Sequence, residues 1–124
     1  MKRLEIVATN NTPHIILDAT AGIFTIEGKS FPEDSKEFYR PVIEWVDEYK
    51  STNPKSFIIS FNLFYLSSSS IISVKQLLLK IVDMQQESKI TVVWNYDEDD
   101  DDIKKTGEDY QKITKLSFDF RVNK

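Results

Sequence analysis

The sequence predicts an α/β fold in which a mixed β-sheet packs against helices, with the element order βββαβαβαβ. Two observations lead to this prediction. Short segments of alternating apolar and polar residues fill the first 30 positions, whereas the rest of the chain alternates between helical and strand periodicity. A length of 124 residues with only three glycines and four prolines predicts a single domain over residues 1–124.

Three amino-terminal strands are predicted at Leu4–Ala8, His14–Asp18 and Gly22–Glu27. The breaker Asn10–Pro13 separates the first two strands, and strict alternation of side chains marks the third. Because turn residues and not helices connect these segments, we expect them to form an antiparallel meander.

A helix is predicted to begin near Ser30 and to end at about Lys50. Ser30 is a candidate cap, Pro32 suits the first turn, and the acids that follow suit the positive end of the helix dipole. One side of this segment is apolar at helical spacing and should pack on the sheet, through Phe38, Val42, Trp45 and Tyr49.

The most apolar strand is predicted at Ser56–Leu66, where β-branched and aromatic residues occupy both faces, as in a central strand covered on two sides. An apolar helix over Ile71–Met84 leads to a strand over Ile90–Tyr96, which predicts a right-handed crossover between parallel strands. A charged helix over Ile103–Lys112 and a last strand over Leu116–Val122 complete the order.

Composition excludes several classes of function. A formal net charge of -4 without a basic stripe argues against nucleic-acid binding, and the absence of cysteine excludes disulfides and thiol catalysis. The amino terminus lacks the apolar core of a signal peptide, and no run of apolar residues is long enough to insert into a membrane. We therefore expect a soluble, cytoplasmic protein.

Four consecutive serines, Ser67 to Ser70, lie between the central strand and the apolar helix. One hydroxyl suffices to cap a helix, and the carboxyl end of a central strand beside a helix start favours anions, including a phosphate on a serine. The alternative is that one serine caps the helix and the others are surface residues.

Catalytic and metal-binding interpretations have less support. The only histidine, His14, falls in a predicted strand and leaves a nucleophilic Ser68 without a visible base, and no glycine-rich phosphate loop exists.

The acidic run Asp97–Asp102 lacks the spacing of an EF-hand and is expected to be a solvated loop leading into a helix. The sequence predicts no metal and no cofactor. The competing hypothesis is a small anion- or metal-binding domain that uses the serine turn and the acidic run.

Four collinear segments resemble the SiaC family of small bacterial regulatory phosphoproteins: residues 28–33 (GKSFPE), 37–45 (EFYRPVIEW), 64–70 (FYLSSSS) and 94–100 (WNYDEDD). The resemblance extends over nearly the whole chain. It implies a STAS-like fold, similar to that of anti-sigma factor antagonists, and a protein that performs no chemistry itself.

The resemblance also implies partners. A dedicated protein kinase phosphorylates family members at a hydroxyl residue after the central strand, and a metal-dependent phosphatase reverses this. The unphosphorylated form binds and activates a diguanylate cyclase, which links the family to cyclic di-GMP signalling and biofilm or aggregation behaviour. No nucleic acid is implied as a partner.

The family pattern at this position is Asn-Thr-Ser-Ser, which aligns Ser68 with the phosphorylated threonine and leaves Ser67, Ser69 and Ser70 as secondary candidates. The residues expected to contact partners are Ser69 and Ser70 of the same run, together with Ser30, Phe31 and Tyr39 near the predicted start of the first helix.

Overall fold

A computed structural model describes all residues, 1–124, and contains nine elements in the predicted order. The strands and helices are β1 Leu4–Ile6, β2 His14–Asp18, β3 Ile23–Ser30, α1 Ser35–Lys50, β4 Ser56–Leu66, α2 Ser68–Val82, β5 Lys89–Asp97, α3 Asp101–Thr114 and β6 Ser117–Asn123. The predicted α/β class with a mixed sheet is thereby confirmed.

The six strands form one sheet in the order β1-β2-β3-β4-β5-β6. Strands β1, β2 and β3 pair antiparallel, as the predicted meander requires. Strands β3 to β6 pair parallel, and one helix connects each neighbouring pair. The predicted parallel crossover between β4 and β5 is therefore confirmed.

All three helices cover the same face of the sheet, since α1 packs on α2 and α2 packs on α3. The inward side chains of the strands form one buried cluster beneath them, including Phe24, Ile59, Phe61 and Trp94. The opposite face is open. The prediction that β4 is covered on two sides is wrong, because its alternate residues reach solvent and Ile58 is 43% exposed.

Helix α1 begins later than predicted. Strand β3 runs through Ser30, which pairs with Leu66 of β4, so Ser30 ends a strand and does not cap the helix. The cap is Asp34, whose Oδ1 accepts a hydrogen bond of 3.1 Å from the backbone N–H of Glu37. A carboxylate at this position satisfies one of the free N–H groups of the first turn.

None of the three helices is long and apolar enough to cross a membrane.

Candidate functional site

The serine run lies at the carboxyl ends of the parallel strands, where β4 turns into α2. Ser67 is the cap of α2, and its Oγ accepts a hydrogen bond of 3.2 Å from the backbone N–H of Ser70. The backbone N–H of Ser67 donates to the carbonyl of Ser30 at 2.9 Å, which fixes the turn against the end of β3. One serine therefore caps the helix, as expected.

The four hydroxyls have different environments. Ser70 is fully buried, Ser67 is half-buried, and Ser68 and Ser69 are exposed. The Ser69 Oγ lies 3.0 Å from the Oγ of Ser35 and is thus held within the structure. Ser68 alone has a hydroxyl that is exposed and makes no hydrogen bond to the rest of the chain.

Six hydroxyl groups join the ends of β3, α1 and α2, and we call them the hydroxyl cluster: Ser30, Ser35, Tyr39, Ser67, Ser69 and Ser70. At its centre the Ser70 Oγ lies 2.8 Å from that of Ser30, 3.0 Å from that of Ser67 and 3.1 Å from that of Ser35. A hydroxyl can donate one hydrogen bond and accept two, so three neighbours saturate it.

A tyrosine closes the inner end of the hydroxyl cluster. The phenol oxygen of Tyr39 lies 2.7 Å from the Ser30 Oγ. Burial raises the pKa of Tyr39 to about 12, and its hydrogen bond with Ser30 opposes this only partly. The cluster is therefore uncharged at neutral pH, and no buried side-chain nitrogen or oxygen in the chain lacks a hydrogen-bond partner.

A second buried tyrosine fixes the first turn of α2 from the other side. The Tyr110 hydroxyl of α3 donates a hydrogen bond of 2.6 Å to the carbonyl of Ile71. Burial raises the pKa of Tyr110, which keeps this phenol protonated. The turn that carries Ser68 is thus anchored to β3, α1 and α3.

The structure separates the five residues expected to contact partners into two groups. Phe31 and Ser69 lie at the surface, and Phe31 packs edge-on against Tyr65 with ring centroids 5.5 Å apart. Ser30, Tyr39 and Ser70 are fully buried. The hydroxyls of these three are directed into the hydroxyl cluster. Partner contact by the five residues stays a prediction.

Sequence reasoning missed Ser35, which is buried and links α1 to the serine turn. Ser35 precedes Tyr39 by four positions, so the two residues share one face of α1. The four-residue spacing between Ser35 and Tyr39 is the sequence signal that could have identified Ser35.

The acidic run adopts the expected structure. It begins at the end of β5 and continues into the first turn of α3, with Asp100 as the cap whose Oδ1 accepts from the N–H of Ile103 at 3.1 Å. No group of three or more His, Asp or Glu side chains in the chain is arranged to hold a metal ion. His14 lies in β2 and contacts Glu5 at 2.7 Å, so it provides no base to the serine turn.

Comparison with known proteins gives a consistent result. Residues 6–123 match the family model described as SiaC family regulatory phosphoprotein. An uncharacterized protein of Pseudomonas aeruginosa (strain UCBPP-PA14) is 28% identical over 119 residues, which cover 95% of this chain and 94% of that protein.

Two solved structures of Pseudomonas aeruginosa proteins share the fold. Apo-SiaC has a TM-score of 0.90 at 27% identity, with 98% of this chain and 100% of that chain covered. SiaC in the complex of diguanylate cyclase SiaD with its activator SiaC has a TM-score of 0.89 at 26% identity, with 97% and 99% covered.

Proposed function

The chain belongs to the SiaC family of regulatory phosphoproteins, and on this basis we propose that it is a non-enzymatic activator of a diguanylate cyclase, controlled by phosphorylation of Ser68. The unphosphorylated form binds and activates the cyclase. A partner protein kinase adds the phosphate and a metal-dependent phosphatase removes it. Both the kinase and the cyclase consume nucleoside triphosphates, so the proposal assigns the protein to the cytoplasm.

The observation that carries the choice of Ser68 is its free hydroxyl. Phosphoryl transfer needs an acceptor oxygen that a kinase can reach, and buried Ser70 is not reachable without opening the fold. Modifying Ser67 would remove the cap of α2, and modifying Ser69 would break its contact with Ser35. Phosphorylation of Ser68 breaks no hydrogen bond of the folded chain.

The position of Ser68 at the first residue of α2 also suits a phosphate. Backbone N–H groups of the first turn have no partner within the helix, and the helix dipole favours negative charge there. A phosphoserine with a charge of about -1.5 to -2 is therefore tolerated by the folded chain. Control then acts on the complex, because docking has to bury a dianion that the unphosphorylated surface lacks.

Support for the cyclase as partner comes from the crystallised complex of SiaC with SiaD, in which the SiaC chain shares this fold along 97% of the present chain. The proposal extends that activator role to this protein.

The proposal is tested with phosphorylated protein, Ser68→Ala, Ser68→Asp and the control Ser56→Ala, an exposed serine at the opposite end of β4, each titrated into the diguanylate cyclase of the same organism. Wild type and Ser68→Ala should bind equally well, whereas phosphorylation should weaken binding by about tenfold or more, equivalent to ~1.4 kcal/mol. Peptide mapping of protein from its native cell should find the phosphate on Ser68. Equal affinities for all forms would contradict the proposed control, and a phosphate on another serine would contradict the assignment.

A further inference from the structure

Beside the serine turn the surface opens into a notch of about 390 Å³ at the carboxyl edge of the sheet. The aromatic pair Phe64 and Tyr65 lines one side, and the first turns of α3 line the other. Leu66 and Ile71, which immediately flank the serine run, also line it. We call this feature the aromatic–acidic notch.

A β-bulge exposes the aromatic side of the notch. In the pairing of β3 with β4, Gly28 is opposite Leu63 and Lys29 is opposite Tyr65, so Phe64 has no partner. Consecutive strand residues normally point to opposite faces, but after the bulge both aromatic side chains reach solvent, with exposed fractions of 43% for Phe64 and 52% for Tyr65. Two adjacent exposed aromatic rings form an apolar surface patch, and such patches often mark a site of interaction.

The opposite side of the notch is acidic. It contains the carboxylates of Asp100, Asp102 and Asp109 and a single cation, Lys105. The Lys105 Nζ lies 3.5 Å from Asp109, and Asp100 caps α3, whereas Asp102 forms neither an ion pair nor a hydrogen bond through its side chain. Three carboxylates and one ammonium leave the notch with two net negative charges.

We propose that the aromatic–acidic notch is the docking pocket for an arginine side chain of the partner protein. A guanidinium group matches both sides at once, because its plane stacks on aromatic rings and its paired N–H groups bind a carboxylate in bidentate fashion. Lysine offers a point charge without the flat face. Asp102 supplies the unpaired carboxylate, and Tyr65 and Phe64 supply the rings.

The control of this pocket by Ser68 rests on the proposed function. Ser68 is exposed and lies two residues from Leu66 and three from Ile71, both of which line the notch, so we expect a phosphate on Ser68 to lie beside its opening. Docking beside the notch then has to remove water from the phosphate dianion, a cost that the unphosphorylated surface does not carry. Phosphorylation thereby disrupts the seated complex without unfolding the turn.

The first experiment compares Asp102→Asn with the matched control Glu108→Gln, both titrated into the diguanylate cyclase of the same organism. Glu108 is an exposed acid of the same helix that does not line the notch. Asp102→Asn should weaken binding about tenfold, since it leaves the partner's buried guanidinium unpaired, whereas Glu108→Gln should stay within about twofold.

The second experiment does not need the cyclase. The peptide acetyl-Leu-Arg-Leu-amide is titrated into ¹⁵N-labelled protein, with acetyl-Leu-Gln-Leu-amide as its control. Saturable shifts at the backbone amides of Phe64, Tyr65 and Ile103 are expected with the arginine peptide alone, and Asp102→Asn should abolish them.

The two experiments separate the two hypotheses. Arginine-specific shifts in a protein that binds no cyclase would support the notch and refute the proposed function. Cyclase binding that is equal in Asp102→Asn and Glu108→Gln, together with no arginine-specific shifts, would overturn the notch and leave the proposed function intact. Either a selective loss of cyclase affinity or a selective peptide shift supports the notch, and the absence of both refutes it.

Discussion

Gly107 in α3 offers a test of how the third helix packs on the sheet. Replacing it with alanine has two opposite effects on the free energy of unfolding: higher helix propensity raises it, and crowding of the core lowers it. The residue is buried against the indole of Trp94, whose Nε1 donates a hydrogen bond of 2.9 Å to the carbonyl of Ile103. A Cβ added to Gly107 would lie 2.4 Å from that nitrogen and 2.5 Å from the neighbouring Cδ1. Alanine therefore fits only if the indole or the helix moves.

Helix propensity alone predicts that Gly107→Ala stabilises the protein by about 1 kcal/mol. Overpacking a filled core costs about 1–3 kcal/mol, and a buried indole N–H that loses its acceptor costs about 1–3 kcal/mol more. Trp94 is fully buried between the rings of Phe61 and Tyr110, so it has no space to retreat. The net result should be a destabilisation of about 3 kcal/mol, or a fall of about 12 °C in Tm for a chain of this size.

Urea unfolding followed by circular dichroism measures this loss. The neighbouring exposed position supplies the control, because the difference between Glu108→Ala and Glu108→Gly gives the helix-propensity effect without any core contact. In a Trp94→Phe background, where the ring is smaller and has no N–H, Gly107→Ala should cost at least about 1 kcal/mol less. A Gly107→Ala protein as stable as the wild type would refute the packing argument.

Three further predictions concern the hydroxyl cluster and the start of α1. Ser70→Ala should lower the free energy of unfolding in urea by about 2 kcal/mol, because three hydroxyls within 3.1 Å lose a partner, and a loss no larger than that of exposed Ser68→Ala would contradict the cluster. Tyr39 should make the protein sensitive to alkali: its pKa is about 12 when folded and about 10 when unfolded, so the stabilisation from the neutral phenol is complete below pH 10 and about 3 kcal/mol is lost as the pH rises through 12. Tyr39→Phe should remove this part of the pH dependence in unfolding titrations at pH 9 and above, and an unchanged slope would argue against a buried phenol. Asp34→Ala should cost about 1 kcal/mol in thermal unfolding through loss of the cap of α1, and an equal loss in the neighbouring control Glu33→Ala would exclude capping as the cause.

Sequence periodicity was sufficient to predict the order and the type of every element. The strands His14–Asp18 and Ser56–Leu66 were predicted with the bounds that the structure shows, since alternation and apolar content are properties of neighbouring residues. Helix starts were harder. Ser30 and Asp34 are both good caps, and the pairing of Ser30 with Leu66, 36 positions away, decides between them.

The open face of the sheet could not be predicted from β4 alone. Its sequence carries apolar residues on both faces, among them Ile58 and Phe64, which is typical of a strand covered on two sides. Coverage depends instead on where the helices lie. Each helix joins adjacent strands of a sheet whose order never reverses, so all three helices lie on one side.

The serine run shows how four identical residues acquire different roles. Successive residues of a helix are rotated by about 100°, so a run of four cannot present all its side chains to the same side. One side of α2 is buried at helical spacing through Ser73, Val74, Leu77, Leu78 and Ile81. The same spacing, continued toward the helix start, reaches Ser70, which is also buried. Ser70 is therefore committed to the core and to the hydroxyl cluster.

Ser67 precedes the first helical turn and its hydroxyl is used by the cap, which leaves Ser68 and Ser69 on the outer side. Ser69 is held by Ser35. The kinase of the proposed function would consequently find one hydroxyl, that of Ser68, whose modification breaks no hydrogen bond of the fold. In the proposed control, a phosphate on Ser68 would change the surface and leave the domain beneath it intact. The side-chain hydrogen bonds of the serine run are made by Ser67, Ser69 and Ser70, and none by the Ser68 hydroxyl.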